Sequence, residues 1–252
     1  MHLTSTEAGS RRTSRARNPI TRLGRDRSGL ALLEFAFAMP VMLMLGLYGV
    51  EIANLALVNL RVSQIALNLA DNAGRVGTTS ALNTQQLREV DVNDILQAVR
   101  YQGSGIKLTT NGRIILSSLE NIQQSYDSAP VQRIHWQRCI GLKSGTGYDS
   151  GTGYVSGTTT TTAGTTATSA NAGTAAASGM GEAGAQVNAP AGSGVMFVEI
   201  NYYYTPLSGT WLMSPARIHY VASFIVRDNR DFSMLFNPSP AATRSTCDLH
   251  AV

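Results

Sequence analysis

The feature that most constrains this chain of 252 residues is a long apolar run near its N-terminus. Residues 30–50 read LALLEFAFAMPVMLMLGLYGV and include a single charged residue, Glu34. At about 1.5 Å of helical rise per residue, the run is long enough to cross the roughly 30 Å hydrocarbon core of a bilayer. It exceeds the roughly 7–15 apolar residues of a cleaved secretory signal, and no A-x-A-like cleavage site follows it. The run therefore predicts one transmembrane helix.

Positive charge is concentrated directly before this run. Residues 1–29 contain seven arginines against Glu7 and Asp26, a net charge of +5, whereas the rest of the chain sums to −1. Basic residues that flank a span stay in the cytoplasm, which predicts a cytoplasmic N-terminus and an external location for everything after residue 50. The same distribution argues against a nucleic-acid partner, because phosphate binding needs basic residues clustered on a folded surface.

Glu34 is the unusual residue of the span, since an ionisable group in an apolar helix costs about 2.5–3.5 kcal/mol on insertion scales. One interpretation is that its carboxylate reaches the membrane interface and has no role. The other begins with cleavage after Gly29, which would leave Leu30 with a free α-ammonium group one helical turn from Glu34. In a low dielectric, this carboxylate would pair with a terminal ammonium, its own or that of a neighbouring subunit.

The residues around this position resemble the cleavage region of type IV prepilins. RDRSG at residues 25–29 ends a basic leader, and LALLEF follows with a glutamate at the fifth position after Gly29. More narrowly, the chain resembles the TadE-like pseudopilins of the tight-adherence (Tad/Flp) pilus system. That resemblance also draws on Met-Pro at 39–40, WQRC at 136–139 and YYYTPL at 202–207. Phe35 departs from the family, which commonly has tyrosine after the glutamate.

The resemblance implies a single-pass protein of the bacterial inner membrane with a periplasmic C-terminal domain. It implies that a prepilin peptidase cleaves between Gly29 and Leu30, and that the partners are other pilin and pilus-assembly subunits. Whether the protein enters the pilus, caps it or stays in the membrane is left open. The alternative function is an uncleaved, signal-anchored external protein, either a binding module or an unrecognised hydrolase.

The helix is predicted to continue beyond the span. Apolar residues recur at intervals of three and four, as in an amphipathic helix, at Ile52, Leu55, Val58, Val62, Ile65 and Leu69. Gly74 and Gly77 are expected to end the helix. Residues 30–73 would then form one helix about 66 Å long.

The fold class predicted for the external region is α+β, with an antiparallel sheet and one further helix built from residues 74–143 and 195–252. The further helix is expected to start near Thr84 and to end before Gly103. Asn111-Gly112 lies between two β-prone runs and predicts a hairpin with strands at 106–110 and 113–119. Further strands are predicted at 131–139, 195–204 and 218–227.

Residues 144–194 interrupt this domain and consist almost entirely of glycine, serine, threonine and alanine. They include five consecutive threonines and two copies of SGTGY, at 144–148 and 150–154. Such a segment has too little apolar surface to offset the entropy lost on ordering it. It is therefore predicted to be a disordered low-complexity insertion. The alternative is a solvated arm that contacts surfaces or carries O-linked sugar.

The chain contains two cysteines, Cys139 and Cys247, both expected outside the membrane. An oxidising compartment allows a disulfide between them. Metal binding is the weaker alternative, because four ligands at finger-like spacing are absent from the sequence.

The sequence carries no catalytic signature. It lacks G-x-S-x-G and the Gly-Lys-Ser/Thr core of a phosphate-binding loop, and none of its four histidines has the flanking residues of a catalytic base. These absences predict a protein that is not an enzyme, with no metal and no cofactor. A structural and assembly role is the main interpretation.

Overall fold

The computed structural model of this protein describes residues 28–79, 84–150 and 161–251. The predicted basic leader, apart from its last two residues, lies outside the described residues, and so does the 151–160 part of the predicted insertion. The described chain is α+β, as predicted. Its helices are α1 (Ser28–Ala73), α2 (Glu89–Gln102) and α3 (Leu108–Asn111). Its strands are β1 (Thr78–Thr79), β2 (Gln85–Gln86), β3 (Gly112–Ile122), β4 (Val131–Ile140), β5 (Thr174–Ala175), β6 (Ser193–Tyr204) and β7 (Ala216–Ile225).

Helix α1 is continuous over 46 residues, and Pro40 lies inside it without ending it. Beyond its last residue, the Gly74 amide donates a hydrogen bond to the Ala70 carbonyl. The prediction of a long N-terminal helix that ends near residue 73 is therefore confirmed. The chain forms two compact units divided after Gly49; the described part of the first is helical, and the second contains the rest of α1 and the sheet.

The main sheet is antiparallel and has the strand order β5-β4-β3-β6-β7. Its centre is β3, in which Ile114 lies opposite Ile140 of β4 and Ile200 of β6. The three strands predicted after residue 130 correspond to β4, β6 and β7, so these predictions are confirmed. Strands β1 and β2 form a separate two-stranded ladder.

The two faces of the sheet bury different parts of the chain. On one face, Val198 and Ile200 belong to a cluster with Val62 and Leu69 of α1 and with the buried side of α2. On the other face, Phe197 belongs to a second cluster. Alternate residues of β6 thus point to opposite cores, as the two-residue period of a strand requires.

The prediction of a disordered insertion is wrong for the part of residues 144–194 that the structure describes. Ala163, Met180 and Ala189 are buried in the second cluster, together with Phe197 of β6. Strand β5 belongs to the same segment and pairs with β4 at the edge of the sheet. The segment therefore covers the second face of the sheet.

Small residues make this covering possible. A Cβ atom on Gly173, where φ is +79°, would lie 2.1 Å from the Ile134 carbonyl oxygen. A Cβ atom on Gly164, where φ is +70°, would lie 2.8 Å from the Cβ atom of Trp136. Close backbone approach of this kind requires glycine. Because the sheet supplies most of the large apolar side chains, the covering segment needs few of its own.

The predicted hairpin at Asn111-Gly112 is also wrong, although its second strand, 113–119, is confirmed within β3. The residues before Gly112 form the helical turn α3, and β3 begins at Gly112 itself. Leu108 of α3 is buried and packs on Gly103, where a Cβ atom would lie 2.5 Å from the Leu108 Cβ. Gly112 has extended backbone with φ of −145°, and glycine is needed there because a Cβ atom would lie 2.7 Å from the Asn201 carbonyl oxygen.

Helix α2 begins at Glu89, five residues later than the predicted start near Thr84. Gln85 is held in β2, where its amide donates to the Asn229 carbonyl at 2.8 Å. The helix starts where a cap becomes available, since the Asp91 carboxylate accepts a hydrogen bond from the Arg88 amide at 3.0 Å.

The structure joins Cys139 of β4 to Cys247 in a disulfide. The C-terminal segment follows β4, because the Cys139 amide donates to the Ser245 carbonyl at 2.8 Å. The buried guanidinium group of Arg113 donates to the carbonyls of Cys247 and Leu249. The disulfide and Arg113 together hold the C-terminus against the end of the sheet.

Candidate functional site

The predicted processing site lies at the start of α1. Gly29 and Leu30 occupy its first turn, Leu30 is exposed, and a Cβ atom on Gly29 would meet no atom within 4 Å. Helix ends fray, and glycine is about 1 kcal/mol less favourable than alanine in a helix, so this turn opens at low cost. The bond between Gly29 and Leu30 is thus sterically accessible in the described chain.

Glu34 lies one helical turn after Leu30 and is exposed. All its neighbours from residue 29 to residue 50 are exposed as well, and none of them is charged. No side chain in the described part of the protein forms an ion pair with Glu34. Any partner for this carboxylate therefore has to come from the new N-terminus after cleavage, from another molecule, or from the membrane interface.

Helix α1 is the one helix of the described ranges that is long and apolar enough to cross a membrane. None of its most apolar window is buried, whereas the core helix of a soluble protein would be mostly buried. The N-terminal half of α1 thus presents an apolar surface on all sides.

The C-terminal half of α1 has one face packed on the sheet. Val58, Val62, Ile65 and Leu69 are buried in the first cluster, as their spacing predicts. Ile52 was predicted on the same face but is largely exposed. This face fixes α1 to the rest of the second unit.

A second apolar stripe runs along the exposed side of the same half. Leu57, Leu60 and Leu67 are 65%, 54% and 42% exposed. With Val50 and Ala53 they follow a seven-residue repeat, the pattern with which helices pack on one another. Sequence reasoning missed this stripe because Asn59, Arg61 and Gln64, which lie between these leucines, indicated a polar outer face.

Glu51, the first residue after the predicted span, accepts four hydrogen bonds through its carboxylate. Its Oε1 atom accepts hydrogen bonds from the Tyr204 hydroxyl at 2.5 Å and the Leu207 amide at 3.1 Å. Its Oε2 atom accepts from the amide and the hydroxyl of Ser208, at 2.9 and 2.8 Å. Asn54, one turn further along α1, donates to the Tyr204 hydroxyl at 2.8 Å. Glu51 thus ties α1 to the chain that follows β6.

These donors keep Glu51 ionised. Chiefly through the Tyr204 hydroxyl, and further through Ser208 and Leu207, they lower the pKa of Glu51 to about 2. Burial, and after it the Glu51 carboxylate, raises the pKa of Tyr204, so the phenol stays protonated and donates. In the sequence, YYYTPL served only as a sign of family resemblance. The structure gives Tyr204 and Leu207 of that motif a physical role as donors to Glu51.

A buried ion pair connects α2 with β4. The guanidinium group of Arg138 bonds both carboxylate oxygens of Glu89, with 2.8 Å between Nε and Oε2. Both side chains are fully buried, and Arg244 approaches the same carboxylate at 3.3 Å. Arg138 and the disulfide residue Cys139 both belong to the WQRC motif. This motif therefore has structural contacts in the described chain.

The buried group that most resembles a catalytic arrangement consists of Ser118, Glu120 and His135. The Ser118 hydroxyl donates to Glu120 Oε1 at 2.6 Å, and Glu120 Oε2 lies 2.8 Å from His135 Nδ1. In a nucleophilic triad the serine bonds the imidazole, whereas here the serine and the imidazole both bond the carboxylate. All three side chains are buried. The arrangement thus offers no nucleophile to a substrate in solution.

The other described histidines are dispersed. His219 lies 2.7 Å from Asn201 Oδ1, and burial lowers the pKa of the His219 ring. His250 is exposed, and His2 lies outside the described residues. Cys247, three residues before His250, is in the disulfide. Within the ranges that the structure describes, no group of three or more His, Cys, Asp or Glu side chains is placed to hold a metal ion.

Comparison with known proteins adds no relative. No protein-family model, no curated protein and no solved structure matches the chain. What this protein does is therefore inferred from the surfaces of α1 and from the contacts of its residues.

Proposed function

We propose that this protein is a TadE-like pseudopilin, or minor pilin, of a Tad/Flp-type adhesive pilus. It inserts in the bacterial inner membrane through α1, a prepilin peptidase cleaves it after Gly29, and the α+β domain lies in the periplasm. Its role is structural and not enzymatic, and its partners are the peptidase and other pilin and pilus-assembly subunits. The observation that carries the proposal is the exposed apolar surface of residues 29–50 of α1, in which the only charge, Glu34, lies five positions after Gly29.

The stripe of Leu57, Leu60 and Leu67 supports an assembly role. Burying a leucine side chain that is otherwise exposed contributes about 1.5–3 kcal/mol. One face of the C-terminal half of α1 already packs on the sheet, so the stripe is the face left for a helix of another subunit. Its seven-residue repeat suits packing of one helix against another.

The isolation of Glu34 within the described chain also supports the proposal. A buried carboxylate without a partner is costly, whereas one that meets an ammonium group is compensated. Cleavage after Gly29 creates such a group at Leu30. In the assembled state, Glu34 pairs with the Leu30 ammonium of a neighbouring subunit.

Cleavage is the decisive test. The full chain is expressed in bacteria with a functioning prepilin peptidase, extracted from the membrane, and its N-terminus is determined by mass spectrometry. We expect the mature chain to begin at Leu30. Gly29→Arg should block processing, because it places a long charged side chain at a position where glycine has no side chain. Gly24→Arg, a matched change within the same leader, should leave processing intact. An uncleaved leader on the unchanged protein would refute the proposal in favour of a signal-anchored external protein.

Pairing of Glu34 is tested separately from cleavage. Glu34→Ala and Glu34→Gln should insert and be cleaved, but should fail in assembly, because a half-removed buried pair costs about 3–5 kcal/mol. Phe35→Tyr, which restores the residue common in the family, serves as the matched control. The assay is surface piliation and co-purification of pilus components at equal expression. Normal piliation with Glu34→Ala would leave Glu34 as a residue that merely reaches the interface.

A further inference from the structure

We infer that the loop between β6 and β7, residues 205–215, rests in the periplasmic interface of the bilayer and contacts lipid through Leu207 and Trp211. This inference rests on the membrane insertion proposed above. It assigns to the loop a second role besides holding Glu51, namely a docking surface of the domain on the membrane.

Glu51 determines where the loop lies. It directly follows the last residue of the predicted span, Val50. Its carboxylate accepts hydrogen bonds from the backbone amides of Leu207 and Ser208, at 3.1 and 2.9 Å. A backbone bonded in this way cannot move away from the end of the predicted span without breaking these hydrogen bonds. The headgroup region on each side of the hydrocarbon core is about 5–7 Å deep. The loop therefore begins within or next to that region.

The composition of the loop fits this location. Its sequence, TPLSGTWLMSP, contains no charged residue. Leu207 is 71% exposed and Trp211 is 62% exposed, although leaving such side chains in water costs about 25 cal/mol per Å² of apolar surface. Tryptophan and tyrosine concentrate at the headgroup level of membranes, and Tyr48 marks the same end of the span in the sequence.

A lipid surface fits the loop better than a protein partner does. Insertion of α1 brings Glu51 to the bilayer surface in every molecule, so the apolar loop meets lipid whether or not a partner is present. Trp211 is four residues from Leu207 along the chain, a distance of at most about 14 Å. Its ring is therefore close enough to Leu207 to reach the same interface.

The experiment uses the intrinsic fluorescence of the full chain. Trp136 is buried in the protein core and Trp211 is exposed, so Trp211→Phe isolates the signal of Trp211 by difference. The protein is reconstituted in vesicles of phosphatidylethanolamine and phosphatidylglycerol, with or without lipids brominated near the head-group end of their chains. We expect brominated lipid to remove most of the Trp211 emission and to leave the Trp211→Phe protein unchanged. Iodide in the buffer should quench Trp211 less in vesicles than in detergent.

A matched control places a tryptophan at the other end of the domain. Ile225 is 52% exposed and lies beside Gly74, just after the end of α1: its carbonyl oxygen would be 3.5 Å from a Cβ atom on that glycine. Gly74 is 23 residues beyond Glu51, or about 35 Å of helical rise. Ile225→Trp in the Trp211→Phe background should therefore show no quenching by brominated lipid.

Vesicle flotation separates this inference from the proposed function. Protein that floats with the vesicles but shows no bromine quenching of Trp211 would overturn the lipid contact and leave membrane insertion intact. Shielding of Trp211 from iodide without bromine quenching would assign the loop to a protein contact instead and would equally overturn it. Protein that does not float at all would overturn both the insertion of α1 and the inference built on it.

Discussion

Met180 offers the sharpest test of whether the segment rich in glycine, serine, threonine and alanine is packed. Its side chain is fully buried in the second cluster, and its backbone exchanges hydrogen bonds with Val187 at 3.0 and 2.7 Å. Met180→Ala removes the Cγ, Sδ and Cε atoms, which is worth roughly 2.5 kcal/mol at about 0.8 kcal/mol per methylene-sized group. A residual cavity on the order of 50 Å³ adds about 1 kcal/mol. We expect the free energy of unfolding to fall by about 2–4 kcal/mol.

The assay is thermal unfolding of the full chain in detergent, monitored by near-ultraviolet circular dichroism. For a domain of this size, each kcal/mol shifts the melting temperature by roughly 2–4 °C, so Met180→Ala should lower it by about 5–15 °C. Met180→Leu keeps most of the volume and should cost less than about 1.5 kcal/mol. Ser178→Ala changes an exposed residue of the same segment and serves as the control.

The result that would refute this reasoning is a Met180→Ala protein that unfolds together with the Ser178→Ala control. The segment would then contribute nothing to the second core. Its composition would have been the better guide, and the prediction of a disordered insertion would stand.

Three further predictions concern buried bonds of the domain. Replacing Cys139 and Cys247 with serine removes a crosslink over a sequence separation of 108 and should lower the free energy of unfolding by about 4–5 kcal/mol on the chain-entropy model. Urea titration measures this free energy, and a reductant should lower it only in the unchanged protein. Glu89→Gln leaves the Arg138 guanidinium buried without its counter-charge and should cost about 3–5 kcal/mol, so an unchanged urea midpoint would contradict the role of this pair. The pKa of Glu51 is lowered from 4.5 to about 2, so its stabilising contribution is complete above pH 4.5 and is lost as the pH falls towards 2. Across that window the melting temperature should therefore fall more steeply for the unchanged protein than for Glu51→Gln, and parallel curves would contradict the assignment.

The elements that the sequence predicts correctly are those with a local signal. The apolar run and the spacing of Val58, Val62 and Leu69 depend only on neighbouring turns of one helix, and Gly74, the first glycine after this spacing ends, directly follows the last helical residue. The strands β4, β6 and β7 likewise contain long β-prone runs. Periodicity over ten or more residues was enough to identify these elements, and to place the end of α1 at the right residue.

The elements that the sequence predicts wrongly depend on contacts between distant residues. Gly112 is a glycine because β6 passes close to it, not because a turn needs a positive φ, and the two causes look the same in a sequence. Met180 is buried because Phe197 and its neighbours on the sheet need a cover. The composition of a segment shows how much apolar surface its own side chains have, but not how much apolar surface of other residues it packs against. This explains the error at residues 144–194.

Glu51 shows why a charged residue belongs at the junction between the predicted span and the domain. An apolar side chain there would pack nearly as well after a shift of one helical turn, because the rest of α1 offers leucines and valines at every turn. A carboxylate with four donors is satisfied in one position only, since a shift would place Leu55 opposite Tyr204 and Ser208 and leave those donors unpaired in a buried site. Buried polar groups that tolerate a single arrangement are known to set the register of packed helices. Glu51 therefore fixes both the rotation and the axial position of the C-terminal half of α1 against the sheet, and through Leu207 it fixes the loop that we place at the membrane surface.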